Sequence, residues 1–342
     1  ALYDLRIETL VEGETIDQVD TYFGMRKIEI IRGCVTLNNS PLYQRLVLDQ
    51  GYWPDGLLTA PSDDALRRDV ELTLAMGYNG ARKHQKFEDP RYLYWADKLG
   101  LLVWGELPSA YWLRDSQKRS MMRDLSEAIK RDYNHPCLIT WVPINESWGV
   151  PFIQTQREAQ QLADALYHMI HALDGTRPVS VNDGWEQTCT DLVTIHDYTG
   201  WPESLTDAYQ DRERLLNGNS GHWKLTTAVG YDNLGKPMLL TEYGGIAMAK
   251  DAGGGNWGYN GSEKDEAAFF KRFEAITQAF KHLPGFSGYC YTQLTDVFQE
   301  VNGLLDMDRN PKVNLDEIRR INLQREGAAY GFFALREHPA RH

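Results

Sequence analysis

From about residue 42 onward, short apolar runs alternate with longer amphipathic stretches. Eight of these runs are interpreted as strands, and most of them are rich in aliphatic and aromatic residues, which is typical of buried strands. These eight are RLVLDQG (45–51), NGARKH (79–84), LLVWGE (101–106), LITWVPINE (138–146), PVSVND (178–183), LVTIHDY (192–198), MLLTEYGG (238–245) and FSGYCYTQ (286–293). Helical periodicity predicts helices at about 62–76, 89–98, 116–133, 155–173, 203–217, 263–282 and 314–321.

Strands that alternate with helices in this way predict a parallel sheet, and eight such units closed on themselves form a TIM (β/α)8 barrel. The competing fold is an open, doubly wound sheet, which should carry a GxGxxG motif after its first strand. No such motif follows Leu48. We therefore predict an α/β fold with a (β/α)8 barrel over residues 32–342.

The first 31 residues have a different pattern. LYDLRIETL (2–10) and YFGMRKIEII (22–31) each alternate apolar and polar residues, with the turn-like VEGETID (11–17) between them. A two-stranded hairpin is barely stable by itself. Because the chain also begins at Ala1 in mid-pattern, we expect residues 1–31 to be the remnant of a β-sandwich domain that lies upstream in a longer protein.

Composition excludes several classes of protein. The chain has 342 residues, a net charge of −12 and 42% hydrophobic residues. An acidic globular chain has no electrostatic reason to bind nucleic acid or an anionic membrane, and no apolar run reaches the roughly 18 residues of a membrane span. The four cysteines are widely spaced: Cys34, Cys137, Cys189 and Cys290. We expect free thiols, which favour a reducing compartment such as the cytoplasm.

Candidate chemistry lies at the ends of two predicted strands, because active sites of these barrels lie at the carboxyl ends of their strands. The fourth run ends in Asn145-Glu146, and the seventh carries Glu242 near its end. Strands four and seven face each other across the lumen, so both carboxylates can reach one small site. Two facing carboxylates suit glycosidic bond cleavage, at about 5–5.5 Å for a retaining enzyme and about 6.5–9.5 Å for an inverting one.

These segments resemble a known family. WVPINESWG (141–149) resembles the acid/base segment, and KPMLLTEYGG (236–245) the nucleophile segment, of glycoside hydrolase family 2, which contains β-galactosidases, β-glucuronidases and β-mannosidases. The likeness covers essentially the whole chain in order. Its other segments are GMRKIEI (24–30), which looks like the junction leaving an immunoglobulin-like domain, MGYNGARKHQKFEDPRYLYWADKLGLLVWGELPS (76–109), RPVSVND (177–183), HDYTGW (196–201) and YTQLTDVFQEVNGLLDMDRNPK (291–312).

The resemblance implies roles for individual residues. Glu146 matches the acid/base and Glu242 the nucleophile. Asn145 matches the residue that holds the sugar 2-hydroxyl, where a side-chain amide can strengthen its hydrogen bond as an oxocarbenium-like state develops. Tyr198 matches a tyrosine that could steady the nucleophile by hydrogen bonding.

The second and third strands supply further candidates. Arg82 and His84 are two residues apart, so their side chains leave the strand on the same face. If that face is the lumen, they reach substrate hydroxyls or the nucleophile. The family commonly separates this Arg and His by two residues, whereas here one intervenes. Glu106 matches a position that helps bind magnesium in some β-galactosidases, but Pro108 stands in place of the accompanying His. We predict no required metal ion and no cofactor.

Two aromatic residues complete the predicted substrate-binding set. Tyr291 resembles the aromatic sugar platform of the family, which is usually Trp, although its spacing to Asp296 is one residue longer than expected. Trp148, in the loop after the fourth strand, could stack on a sugar ring.

The sugar is expected to be neutral. The β-glucuronidases carry an Asn-x-Lys pair that holds the sugar carboxylate, and here the corresponding stretch is Glu300-Val301-Asn302. The lysine is missing, and a glutamate facing a uronate would repel it. We therefore expect a retaining exo-β-glycosidase that acts on neutral β-glycosides, with β-galactosides favoured.

Three alternatives stay open at this point. One is a β-mannosidase. Another is a different two-glutamate barrel glycosidase, such as an endo-acting glycanase with an open groove. The third is a carbohydrate-binding barrel fragment that is inactive without its upstream domains. The expected partner is an oligosaccharide or glycoside, and the sequence leaves open whether the chain forms a homo-oligomer.

Overall fold

A computed structural model describes residues 1–209, 211–216, 224–251, 253–283 and 285–324. The strands are β1 (Leu2–Val11), β2 (Glu14–Gly24), β3 (Ile28–Ile31), β4 (Cys34–Leu37), β5 (Ser40–Pro41), β6 (Gln44–Asp49), β7 (Gly80–Lys83), β8 (Leu102–Glu106), β9 (Leu138–Val142), β10 (Val193–His196), β11 (Met238–Gly244), β12 (Ala247–Met248), β13 (Ser262–Glu263) and β14 (Phe286–Thr292). The helices are α1 (Asp63–Ala75), α2 (Pro90–Leu99), α3 (Asp115–Asp132), α4 (Arg157–Leu173), α5 (Pro202–Tyr209), α6 (Arg212–Leu216), α7 (Glu266–Lys281) and α8 (Leu315–Leu323).

Seven strands form one curled parallel sheet in the order β10-β11-β14-β6-β7-β8-β9. The predicted fifth strand, 178–183, fills the place between β9 and β10 through isolated parallel bridges of Trp141 to Val179 and of Asn145 to Asp183. On its other side, the Thr194 hydroxyl of β10 accepts a hydrogen bond from the Gly184 N–H. The predicted TIM barrel is confirmed, with its fifth strand reduced to these bridges.

The barrel has two apolar cores because side chains of a strand alternate between its faces. The larger core lies between the sheet and the surrounding helices. The smaller core fills the lumen and includes Leu46, Trp104 and Leu239. Ile28 of β3 and Val35 of β4 belong to this smaller core, so the sheet β3-β4-β5 packs against the barrel strands.

The N-terminal pattern was only partly interpreted correctly. A long antiparallel hairpin does form, but β1 and β2 meet in a tight turn at Glu12 and Gly13, shorter than predicted. The predicted strand 22–31 is divided, because β2 ends at Gly24 and β3 pairs with β4 in a separate sheet. That sheet contains residues on both sides of the domain boundary predicted after residue 31. The boundary itself stays a prediction.

Helix limits follow their local sequence signals. Ser62 caps α1 by accepting a hydrogen bond from the Ala65 N–H at 3.1 Å, and Asp89 caps α2 ahead of Pro90. The helix predicted at 203–217 is divided into α5 and α6, and residue 217 lies outside the described residues. Among the described residues, no helix has the length and apolarity needed to cross a bilayer. All four cysteines are free thiols.

Candidate active site

The side chains of Glu146 and Glu242 converge at the carboxyl end of the barrel sheet. Glu242 lies within β11, and Glu146 follows β9 by four residues. One oxygen of each carboxylate and one ring nitrogen of His196 all lie within 4.8 Å of one another. The Glu146 side chain is 21% exposed and that of Glu242 is 6% exposed. A shared, nearly buried pocket therefore holds both carboxylates.

The turn that carries Glu146 is held in a conformation that non-glycine residues rarely adopt. Glu146 and Ser147 have φ angles of +51° and +59°, which costs on the order of 1–3 kcal/mol per residue. The Glu146 N–H donates to the Asp183 carbonyl at 3.0 Å. The Ser147 N–H donates to Asn182 Oδ1 at 2.8 Å, and the Ser147 hydroxyl donates to Glu186 Oε2 at 2.7 Å. These bonds aim Glu146 into the lumen.

Both oxygens of Glu242 accept hydrogen bonds. Arg82 Nη1 donates to Oε1 at 2.7 Å, and the Tyr198 hydroxyl donates to Oε2 at 2.6 Å. The Thr292 hydroxyl lies 3.2 Å from the Tyr198 oxygen, to which it can donate. The carboxylate is thus fixed in orientation by a cation and a neutral donor, which suits a nucleophile that must attack from one direction.

Arg82 is the buried cation at the centre of the site. Its side chain is fully buried and interacts with three carboxylates and one amide. The distances are 2.8 Å from Nε to Glu106 Oε2, 3.1 Å from Nε to Asp183 Oδ2, 2.7 Å from Nη1 to Glu242 Oε1 and 2.7 Å from Nη2 to Asn145 Oδ1. A buried charge is tolerated when it is paired in this way.

His196 joins the two candidate catalytic carboxylates. Its Nδ1 lies 2.8 Å from Glu146 Oε1 and 3.5 Å from Glu242 Oε2, and its Nε2 lies 2.9 Å from Asp183 Oδ2. Burial would lower the pKa of His196, but the charge of Glu242 and the hydrogen bonds to Asp183 and Glu146 raise it to about 10. A Cβ on Gly184 would lie 2.3 Å from the imidazole, so glycine leaves room for the ring.

His84 and Glu106 lie beside Arg82 in different protonation environments. Burial, together with the neighbouring charge of Arg82, holds the pKa of His84 well below its usual range, so the imidazole is neutral. His84 Nδ1 accepts a hydrogen bond from Arg82 Nη2 at 3.1 Å. Burial raises the pKa of Glu106 to about 7, although the charge of Arg82 opposes the shift.

The Glu106 carboxylate does not fit the magnesium role that the resemblance raised. Its Oε2 accepts from Arg82, and its Oε1 accepts from the Gln85 N–H at 3.0 Å. Pro108 offers no ligand atom. We derive no step through a metal ion, and the prediction that none is required stays a prediction.

Tyr291 requires a correction. It is fully buried, and its ring packs edge-on against Phe273 of α7 and Tyr243 at centroid distances of 5.0 and 5.5 Å. The side chain therefore faces the helix layer and offers no aromatic face to the carboxylates. The next residue, Thr292, is the one that contacts Tyr198.

Trp148 lies in the loop next to Glu146 but outside the hydrogen-bonded cluster. It is 43% exposed, and its ring contacts that of Tyr111 at a centroid distance of 5.6 Å. The other predicted site residues meet in the cluster around Arg82: Glu146, Glu242, Asn145, His84, Tyr198 and Glu106.

A second polar cluster lies near Glu242 and is centred on Glu300, the residue that the sequence sets against a uronide. Glu300 Oε1 accepts from Gln293 Nε2 at 2.9 Å, and its Oε2 accepts from Gln50 Nε2 at 3.3 Å. Burial and the charge of Glu242 raise the pKa of Glu300 to about 7, against the hydrogen bond from Gln50. The ring of Tyr259 stacks on that of Tyr198 at a centroid distance of 4.2 Å. The charges of Glu300, Glu242 and Glu146 act on the Tyr259 hydroxyl and help raise its pKa.

His196 and Asp183 were missed although a signal was present. Each is the last residue of a strand or predicted strand, as Glu106 is. Examining every strand end for titratable side chains would have included both. Tyr259 had no such signal, because it lies in the long connection between β11 and α7.

The fold and the paired carboxylates define a class: barrels that carry two acidic groups at the carboxyl ends of facing strands. Residues 59–324 match the family model for glycosyl hydrolases family 2, TIM barrel domain. The chain belongs to glycosyl hydrolase family 2, and the resemblance stated from the sequence is confirmed.

Known relatives carry more than one activity. The chain is 26% identical over 344 residues to a β-galactosidase of Leuconostoc mesenteroides, covering 93% of this chain and 30% of the relative. It is 24% identical over 354 residues to a β-glucuronidase of Streptococcus agalactiae, covering 93% of this chain and 56% of the relative. Against both, the chain spans less than two thirds of the relative's length.

The fold is also that of a solved family member. A crystal structure of a GH2 β-galacturonidase from Eisenbergiella tayi, bound to galacturonate, superposes with a TM-score of 0.75 and 22% identity. The match covers 94% of this chain and 58% of that chain. At this identity the likeness supports the fold and leaves the sugar open.

Proposed function

We propose that this chain carries the catalytic barrel of a retaining exo-β-glycosidase. The observation that carries the proposal is the approach of Glu146 and Glu242, which have one carboxylate oxygen each within 4.8 Å of the other. Retaining enzymes separate their carboxyl groups by about 5–5.5 Å, whereas inverting enzymes need about 6.5–9.5 Å to admit a water molecule.

In the first step, Glu242 attacks the anomeric carbon while Glu146 gives a proton to the glycosidic oxygen. The bond from the anomeric carbon to that oxygen breaks, the leaving group departs as an alcohol, and a glycosyl ester forms on Glu242. In the second step Glu146, now a carboxylate, takes a proton from water, and the resulting hydroxide equivalent displaces Glu242. The sugar keeps its β-configuration.

The surrounding residues position these two groups. Arg82 and Tyr198 each donate a hydrogen bond to one oxygen of Glu242. These bonds hold the carboxylate in one orientation, and the charge of Arg82 balances that of Glu242. His196, anchored by Asp183, holds the Glu146 carboxyl on the leaving-group side. Asn145 is held by Arg82 through its oxygen, which orients its amide toward the expected place of the 2-hydroxyl.

The polar cluster around Glu300 favours a neutral sugar as the substrate. Glu300 is close enough to Glu242 for their charges to interact, and amide groups of Gln50 and Gln293 hold its carboxylate. These groups can exchange hydrogen bonds with sugar hydroxyls, whereas a sugar carboxylate beside Glu300 would be repelled. Among neutral sugars we favour β-galactosides, with β-mannosides as the alternative, although several relatives are named for uronides.

A panel of 2,4-dinitrophenyl 2-deoxy-2-fluoro-β-glycosides tests both the reaction and the sugar. The chain is incubated with the galactoside, mannoside, glucoside and glucuronide, and intact mass is measured, followed by peptide mapping. We expect an adduct on Glu242 from a neutral sugar. An adduct on another residue, or none from any sugar, would reject the proposed reaction for this chain.

Replacing Glu146 with Ala should separate good from poor leaving groups. A dinitrophenyl glycoside needs little protonation, so we expect its kcat to fall far less than that of an alkyl glycoside, which should lose about 10²–10⁴-fold. Azide should restore turnover and give a β-glycosyl azide. Steady-state kinetics with both substrates provide the measurement, and equal losses for the two would reject the acid/base role.

Replacing Glu300 with Gln should remove a pH-dependent discrimination against uronides. With a pKa of about 7, Glu300 becomes charged as the pH rises from 6 to 8. The wild-type ratio of kcat/KM for neutral glycoside over uronide should therefore rise roughly tenfold in that range and stay flat in Glu300→Gln. The exposed Glu203→Gln is the matched control. Equal pH profiles in wild type and Glu300→Gln would place the sugar away from Glu300.

A further inference from the structure

Four exposed aromatic side chains lie in the two loops next to Glu146. Tyr111 and Trp112 follow β8, and Trp148 and Phe152 follow β9; their exposed fractions are 60%, 62%, 43% and 79%. The rings of Tyr111 and Trp148 meet edge to face at 5.6 Å with an interplanar angle of 63°. The contact makes Tyr111 and Trp148 one exposed aromatic patch, and contiguous exposed apolar surface is a feature of binding sites.

The two loops brace each other, so the aromatic patch has a fixed shape. Gly149 has a φ of +84°, and a Cβ there would lie 2.6 Å from the Ala110 carbonyl oxygen, so the backbones are in direct contact. The Ser109 N–H donates to Gln85 Oε1 at 3.3 Å, which ties the first loop to the end of β7. The Trp148 N–H donates to the Asn145 carbonyl at 2.9 Å, which ties the second loop to the catalytic turn.

The chemistry of Glu146 identifies what lies on this side of the pocket. An acid/base group contacts the glycosidic oxygen, and that oxygen belongs to the leaving group. The ring of the leaving group must therefore extend past Glu146, and Trp148 is only two residues away. The face of a pyranose that carries axial C–H bonds stacks on aromatic rings.

We propose that Trp148 and Tyr111 form a leaving-group subsite that binds the pyranose ring of a β-linked oligosaccharide. This inference rests on the proposed function. It makes the natural substrate an oligosaccharide and not an alkyl glycoside, and it assigns the acceptor side of the reaction to the loops after β8 and β9.

Reactivation of the trapped enzyme isolates this subsite. The chain is first labelled with the 2-fluoro-glycoside that reacts fastest, and excess reagent is removed. Return of activity is then followed in buffer alone and with increasing cellobiose, which can accept the trapped sugar. In wild type we expect cellobiose to accelerate reactivation with saturation. In Trp148→Ala the half-saturating concentration should rise about 5- to 10-fold, measured against reactivation by water in the same variant.

Further variants test whether the effect of cellobiose depends on the rings of Trp148 and Tyr111. Trp201→Ala removes an exposed tryptophan from the loop after β10, and it should leave cellobiose reactivation as in wild type. Tyr111→Ala removes a ring of the proposed subsite and should raise the half-saturating concentration, and Tyr111→Phe, which keeps the ring, should raise it less. Non-saturating reactivation in wild type, or equal saturation in wild type and Trp148→Ala, would overturn the subsite and show that another occupant covers the patch.

Failure of the proposed reaction and failure of the leaving-group subsite give different results. Absence of any adduct rejects the proposed reaction before cellobiose is added. In that case cellobiose is titrated into the unlabelled chain with tryptophan fluorescence as the readout. Binding that weakens in Trp148→Ala but not in Trp201→Ala still supports the subsite, and absence of binding overturns it.

Discussion

Glu242→Gln is expected to lower kcat for every glycoside by at least about 10⁴-fold, because the amide cannot form a stable glycosyl ester. The substitution keeps the size of the side chain and an oxygen that can accept from Tyr198 or Arg82. The fold should therefore survive, with little change in the denaturation midpoint. Activated and poor leaving groups should lose activity alike, since both need the nucleophile. Steady-state kinetics with a dinitrophenyl and an alkyl glycoside measure this result.

The stereochemistry of azide rescue separates the two glutamates. In Glu242→Ala, azide attacks from the vacated face and should give an α-glycosyl azide, whereas Glu146→Ala should give the β-product. Glu203→Gln, on the exposed first turn of α5, is the control and should keep wild-type kinetics. Residual activity of Glu242→Gln within 100-fold of wild type would show that another group attacks the sugar.

Most of the barrel could be predicted because its strands are short, buried and separated by amphipathic helices. The run 238–245 and the strand Met238–Gly244 nearly coincide, since buried parallel strands are apolar on both faces. The fifth strand was harder, because backbone groups of residues 178–183 bond partly to side chains: the Val179 N–H donates to Asp191 Oδ2 and the Val181 N–H to Thr190 Oγ1. A sequence pattern does not show where a side chain, in place of a neighbouring strand, will accept a backbone hydrogen bond.

The position of a candidate site residue could be predicted where its side chain stands at the end of a strand. It could not be predicted where the register of the strand decides which face the side chain occupies. Tyr291 and Thr292 differ by one residue, and a shift of one residue turns a side chain to the other face of a strand. The spacing to Asp296, one residue longer than expected, was the signal of that shift. Tyr259 reaches Tyr198 only through the folding of a long loop, which apolar periodicity does not describe.

The second large effect concerns Arg82, whose removal should both destabilise and inactivate the protein. Arg82→Met keeps much of the side-chain volume but leaves the Glu106 carboxylate buried without its cation, whereas Asp183 keeps its contact with His196. Breaking such a buried pair costs about 3–5 kcal/mol of the free energy of unfolding. Denaturant unfolding monitored by tryptophan fluorescence measures this loss. The exposed pair Arg67–Glu71 supplies the control, because Arg67→Met should cost less than about 1 kcal/mol.

The sign of the pH dependence distinguishes lost charge pairing from lost packing. Without Arg82, burial raises the pKa of Glu106 in the folded state further above its unfolded value. Below the unfolded pKa this carboxyl is protonated in both states and the penalty is small; the penalty grows as the pH rises from the unfolded toward the folded pKa, because only the unfolded state can ionise freely. The loss in Arg82→Met should therefore grow between pH 5 and pH 8. Arg82→Lys keeps one charge and should lose less, and a loss that is the same at every pH would show that Arg82 stabilises the barrel by packing alone.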